Sequence, residues 1–398
     1  MTRTFRIWSL FLLCVVVLDM WSLASAESNA FEVVALVDSL DFAEVYDIET
    51  STGIVQVLDH VLLTHASDIW WRDKGGGKPR YPSKCEGWPL SEAPFDKRCL
   101  PNETTYGRLR LDWPRANAFP LIRKECMKRG LGFGIHTTVE ENHWLSSLAS
   151  PWTIAHPEYW SCTRDGEPWA GSCSIAYPEV VAHKLEQVDE RLAFRSQRIF
   201  LDFARKGGWS YAREYTAPVL AEWRKQYGDE PPPPATDARW GRLAGRFFED
   251  YLRRFSRKCR DAGVEFVGGF SGIDERDDTA LQKAYGGLRW RTLAKEGIFD
   301  AIVVMGVVCD PKDPFGSTER IYRSVMADRG TAKVYFPLSA YNAHISNYAK
   351  RTKVSKGEAV RRLMKMAQDV GACGVVMECV DYRNYTPEIC AAIGEFLR

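Results

Sequence analysis

Two carboxylates stand inside apolar runs, where an ionised group is costly. Asp202 follows Ile199, Phe200 and Leu201 in "RIFLDFARKGGW", and Glu378 follows Val375, Val376 and Met377 in "GVVMECV". Such a group must be paired, hydrogen-bonded or put to use. Burial raises its pKa and suits it to proton transfer. Further polar and aromatic side chains fall at the ends of similar runs. They are Asp38 and Asp41; Trp70, Trp71, Arg72 and Asp73; His136, Glu140 and Glu141; Arg205 and Trp209; Ser271, Asp274 and Glu275; Asp310; Tyr341, Asn342 and His344; Asp381 and Arg383. For Asp38, Asp73, Asp310 and Asp381 a helix cap or an ion pair explains the residue equally well. If the run ends converge, paired carboxylates meet Trp, Arg, His and Asn side chains. That set fits hydrolysis of glycosidic bonds, in which one carboxyl protonates the leaving oxygen and another attacks or activates water. Flat rings would pack against the C–H faces of sugars.

Convergence requires a particular arrangement of elements. An amphipathic helix ending near Gly, then a short apolar run, recurs in "LIRKECMKRGLGFGIHTT", "RRFSRKCRDAGVEFVGGF", "TLAKEGIFDAIVVMGVV", "SVMADRGTAKVYFPLSA" and "LMKMAQDVGACGVVMECV". Gly suits the left-handed cap position, and the loop then feeds a strand. Continuous apolar runs indicate strands covered on both faces, as in parallel sheets. Eight strands are expected, at 33–38, 68–72, 132–138, 198–203, 264–270, 301–308, 333–340 and 374–380. Alternating with helices, they predict an α/β fold, a (β/α)8 TIM barrel with long loops after strands 2, 3 and 4, at 73–108, 139–177 and 204–238. An open doubly wound sheet is the other arrangement, but no GxGxxG follows the first strand. The run Pro231–Pro234 interrupts without ending the rhythm, so residues 27–398 read as one domain.

The chain has 398 residues, 45% of them hydrophobic, with a formal net charge of +1. Lys and Arg are dispersed, which argues against a nucleic-acid partner. Arg3 and Arg6, the apolar run "IWSLFLLCVVVLDMWSL" and "ASA" at 24–26 form a signal peptide, residues 1–26. Asp19 interrupts that run, and no later segment reads as a membrane span. An exported chain, periplasmic or extracellular, is expected. Export permits disulfides. Cys85 with Cys99 and Cys162 with Cys173 are the candidate local pairs. No Cys or His spacing marks a zinc site. Neither a metal nor a cofactor is expected. Of the 14 Trp residues, two lie in the signal segment and nine between positions 70 and 209. Several of these fall in the expected loops, and at least half are expected to pin those loops to the barrel.

"RIFLDFARKGGWSYAREYTAPVLAEWRKQYG" resembles the strand-4 region of the family-10-like glycosyl hydrolases, a group of exported bacterial barrels. "HPEYWSCTRDGEPWAGSCSIAYPEVVAHKLEQV" and "EAVRRLMKMAQDVGACGVVMECVDY" are similar to further parts of that family, so the resemblance covers residues 110–398. It implies a (β/α)8 fold and glycosidase activity on a polysaccharide or glycan, with Asp202 and then Arg205 carried over. Retaining barrel glycosidases carry Asn-Glu at strand 4 and Glu at strand 7. This chain has Asp202 at strand 4 and no carboxylate in "KVYFPLSAYN".

The expectation is therefore a glycoside hydrolase with Asp202 as one catalytic carboxylate. Its partner is Glu378, the pair Asp274 and Glu275, or the pair Glu140 and Glu141. Trp70, Trp71, Arg72, His136, Arg205, Trp209, Tyr341, Asn342 and Asp381 are the expected substrate contacts. One alternative is a carbohydrate-binding barrel in which Asp202 pairs with Arg205 or Arg72. Another is a metal-dependent deacetylase using His136, Asp202 and a second carboxylate.

Overall fold

Each of the five recurring helix-to-strand junctions turns at a glycine in the left-handed region. Gly130, Gly263, Gly297, Gly330 and Gly371 have φ between 61 and 81°. A Cβ is strained there, so the helix stops and the apolar run begins a strand. The computed structural model describes residues 31–38, 42, 45–47, 50–75, 78–86, 118–139, 150–203, 213–271, 273–274, 288–339, 344–378, 380 and 383–398.

Eight strands follow: β1 (Glu32–Val37), β2 (Asp68–Arg72), β3 (Gly132–Thr138), β4 (Arg198–Asp202), β5 (Glu265–Phe270), β6 (Ala301–Val304), β7 (Lys333–Pro337) and β8 (Gly374–Met377). They pair in parallel and in chain order, and β8 closes on β1. The principal helices are α1 (Ser51–Leu62), α2 (Phe119–Lys128), α3 (Pro178–Leu192), α4 (Ala238–Asp261), α5 (Trp290–Lys295), α6 (Pro314–Asp328), α7 (Lys356–Asp369) and α8 (Pro387–Leu397). The chain is a (β/α)8 barrel. Among the described residues, no helix is long and apolar enough to cross a membrane.

Alternation along each strand sends every second side chain inward. Val34, Leu36, Trp70, Phe200, Val267, Val303, Tyr335 and Val376 form one interior cluster, which identifies the inward face of each strand. Two large rings share this layer because their neighbours have no side chain. A Cβ on Gly134 would lie 2.6 Å from the Trp70 ring, and one on Gly269 would lie 2.4 Å from the Phe200 ring. Large residues beside small ones are how a barrel of this size fills its interior.

Below that layer is a charged floor. Arg198 binds Asp68, sets Nη1 3.0 Å from Glu32 and Nε 2.6 Å from Glu265. Lys333 donates to Glu265 at 3.0 Å, and the Tyr335 hydroxyl donates to Glu32 at 2.9 Å. Burial pushes Asp68 up to about 6, against the pull of Arg198.

Three expectations are corrected. Strand 6 ends at Val304, because Val307–Val308 pairs instead with Ile273–Asp274 in a separate two-stranded parallel sheet. Strand 8 ends at Met377, so Glu378 lies one residue past it. Cys162 and Cys173 are not bonded: the hairpin register sets Cys173 opposite Trp160 and Cys162 opposite Pro168. The Cys162 thiol points to the Tyr215 carbonyl at 2.8 Å. Cys99 lies outside the described residues. The proline run packs on the barrel's own helices. Tyr215 donates to the Pro233 carbonyl at 2.7 Å, and its ring stacks on Trp240 of α4 at 4.2 Å.

Candidate active site

Two residues beyond the interior layer, on the same inward face, lie Arg72, His136 and Asp202, with Asp38 one residue past β1 and Glu378 one residue past β8. This is the C-terminal end of the strands, the face that carries chemistry in this fold. Asp202 is 0% exposed. It sits in register with Thr138 on β3 and Gly269 on β5. One Asp202 carboxylate oxygen lies 3.2 Å from His136 Nε2. His136 is 4% exposed, and its ring centroid is 5.0 Å from that of Phe200. Phe200 in turn packs against Trp70 at 5.2 Å. The interior cluster thus forms an apolar base beneath a carboxylate and an imidazole. Such a pair can hold or pass a proton.

Arg72 is in register with His136 and forms an ion pair with Asp38. Arg80 shares that carboxylate, with Nη1 2.6 Å from Asp38 Oδ1. All three are buried. Asp73, also buried, receives Arg191 of α3. Burial works against the charge on Arg191, but Asp73 beside it holds the guanidinium protonated. Glu378 is partly exposed. It follows β8, which is four strands from β4 in either direction round the barrel.

Trp70 and Trp71 are corrected as substrate contacts. Trp70 is fully buried in the interior layer, and Trp71, pointing the other way along β2, is buried outside the barrel lumen. Neither offers a face to a ligand. Asp274 is on the short strand Ile273–Asp274, and its side chain is outside what the structure describes. Glu140, Glu141, Arg205, Trp209, Glu275, Tyr341, Asn342 and Asp381 also lie outside the described residues. Among the described residues, no cluster of three or more His, Cys, Asp or Glu side chains could hold a metal ion.

In the insertions, buried Glu86 and Glu214 escaped the sequence reading. Glu86 accepts from Ser150 Oγ and Gln187 Nε2, both at 2.7 Å, and lies 3.1 Å from His183 Nε2. Burial pushes Glu86 up, but the His183 and Ser150 hydrogen bonds outweigh it and hold the carboxyl below its usual range. Glu214 accepts from Ser161 at 3.2 Å and from Ser174 at 2.5 Å. Both sit in insertions without a flanking apolar run. The available signal was on α3, where His183 and Gln187 share the face of Val180.

No protein-family model and no curated protein matches the chain. Solved structures do resemble it. The glycoside hydrolase domain of PgaB (BpsB) from Bordetella bronchiseptica superposes with a TM-score of 0.60 at 14% identity, over 92% of this chain and 99% of that one. Alpha-L-fucosidase isoenzyme 2 from Paenibacillus thiaminolyticus superposes with a TM-score of 0.54 at 12% identity, over 92% of this chain and 49% of that one. This chain therefore spans about half the length of the fucosidase. At such identities the likeness shows a shared fold, the (β/α)8 barrel on which glycoside hydrolases are built.

Proposed function

We propose that this chain is an exported glycoside hydrolase, periplasmic or extracellular, acting on a polysaccharide or glycan. The observation that carries the reading is Asp202, a fully buried carboxylate on the inward face at the end of β4, 3.2 Å from His136. Asp202 and Glu378 are the catalytic pair in this reading. Asp202 activates water, and Glu378, nearer to solvent, protonates the leaving oxygen. His136 orients Asp202, and Arg72, held by Asp38, binds substrate hydroxyls. A partner across the barrel favours the inverting separation of about 6.5–9.5 Å. A partner on adjacent β5, Asp274 or Glu275, would favour the retaining separation of about 5–5.5 Å.

The test is reducing-sugar release from a panel of polysaccharides by the wild type and by Asp202→Asn. Release that the variant abolishes, with both proteins equally folded, supports the reading. The anomeric form of the first product, read by proton NMR, then distinguishes Glu378 from the β5 carboxylates. A second reading, a carbohydrate-binding barrel, is favoured by the His136 contact, which gives Asp202 a structural partner. Equal glycan binding by both proteins, with no release by either, would establish that reading instead.

A further inference from the structure

The insertion between β3 and α3 carries a group of rings that the chemistry above does not use. Trp152, on the short helix Pro151–Ala155, is near-parallel to Tyr159, with an interplanar angle of 14° and centroids 6.0 Å apart. His156 lies 4.5 Å from Trp152 and 5.7 Å from Tyr159. Tyr177 lies beside Tyr159, 5.2 Å away and tilted by 52°. All four rings are partly exposed. We infer that they form a second glycan-binding site at the rim of the barrel mouth, a platform for a sugar unit other than the one cleaved. The inference rests on the glycosidase reading and extends it: the substrate is a chain of several sugar units.

The platform is built before any ligand arrives. Trp152 stacks on His183 of α3, with centroids 4.0 Å apart and an interplanar angle of 6°. Beneath it, buried Glu86 takes the backbone N–H of Trp152 at 3.2 Å and the Ser150 hydroxyl at 2.7 Å. The same carboxylate meets His183 at 3.1 Å and Gln187 at 2.7 Å. Anchoring the loop explains Glu86, His183 and Trp152. It does not explain why His156, Tyr159 and Tyr177 gather beside Trp152 with their rings partly exposed. Rings locked in place lose little freedom on binding, which favours affinity.

Position and charge select the ligand. Lys184, next to His183, lies 3.5 Å from the carbonyl of Val139, the residue after β3. That turn of α3 is therefore level with the mouth. The charges that act on Tyr159 come from Glu179 and Glu158, and Glu158 also lies 2.8 Å from His156 Nδ1. A nucleic-acid strand stacking on these rings would need cations beside them. A sugar needs what is present, flat rings for its C–H face and carboxylate oxygens for its hydroxyls.

The test is affinity electrophoresis of the full chain through gels containing laminarin, xylan, chitosan or polygalacturonate. Wild type, Asp202→Asn, Tyr159→Ser and Tyr159→Trp are compared, each checked by circular dichroism. The expected result is that one polysaccharide retards wild type, Asp202→Asn and Tyr159→Trp alike. For Tyr159→Ser the dissociation constant should rise about tenfold, the scale of one lost ring contact. Should Tyr159→Ser not fold, His156→Ala reads the same surface. Equal retardation of Tyr159→Ser and wild type would overturn the platform, as would a loss of retardation confined to Asp202→Asn. If no gel retards the wild type, the platform is overturned, and sugar release from the same polysaccharides decides separately whether the glycosidase reading stands.

Discussion

At the scale of single residues, Asp202 was visible in the sequence because an ionisable group in an apolar run contradicts its surroundings. Its replacement is the sharpest prediction. Asp202→Asn should lower kcat by about 10²–10⁴-fold, the usual worth of a positioned acid or base, with a smaller change in KM. Steady-state kinetics on a cleaved glycan checks this, and a kcat within threefold of wild type would remove Asp202 from the chemistry. Asp68 carries a pH prediction. Burial raises it to about 6 despite Arg198, so the folded chain keeps this proton at pH values where the unfolded chain has released it. Between the unfolded value of about 4 and about 6 the folded state binds more protons, and this residue's contribution to stability falls as pH rises. Glu265, which Arg198 and Lys333 hold low in spite of burial, works in the opposite sense. Denaturant melts of wild type and Asp68→Asn at pH 4.5 and 7 isolate the first effect. The wild type's stability relative to the variant should decline toward pH 7. Arg191 and Glu86 were not legible. Their partners, Asp73 and His183, are 118 and 97 residues away along the chain.

At the scale of elements, helix and strand order was legible because its signals are local. A glycine that ends a helix and the apolar run after it are neighbours in sequence. The facing of each strand was not legible. Trp70 and Trp71 are adjacent, equally apolar and both buried, yet they point to opposite sides of β2. The glycines of β3 and β5 set the spacing inside. Gly269→Ala would place a Cβ 2.4 Å from Phe200, and overpacking of this kind costs about 1–3 kcal/mol. Because Gly269 is the register partner of Asp202, the same variant should also lower kcat. Chemical denaturation and kinetics on one preparation test both effects. At the loop after β4, Tyr215→Phe removes the hydrogen bond to the Pro233 carbonyl and should cost about 1 kcal/mol.

At the scale of the whole molecule, the barrel separates its tasks along its axis. Arg198 joins β4 to Glu32, Asp68 and Glu265 on three other strands at one end, while Asp202 and His136 lie at the other. Arg198→Ala would leave three carboxylates together without their shared cation. Only Asp68 of the three is fully buried, and Lys333 and Tyr335 still serve Glu265 and Glu32, so the loss should cost about 1–3 kcal/mol, measurable as a shift in denaturant midpoint. Activity per folded molecule at low temperature should be unchanged, since the mouth is not touched. A large loss of kcat with little loss of stability would refute this division.

By itself, the sequence determined the alternation of helices and strands and the number of strands, and it marked Arg72, His136 and Asp202 as polar groups at strand ends. These follow from periodicity, glycine caps and turn chemistry, all of which act over a few residues. Only the tertiary structure decided which of those groups meet. A strand buried on both faces has no polar–apolar alternation to mark its inside. Closure of the barrel sets the facing: it turns Trp70 into the interior, brings Arg72 to Asp38, and places His136 against Asp202 from 66 residues away. Contacts of that range depend on the curvature and register of eight strands together, and no local stretch of sequence contains them.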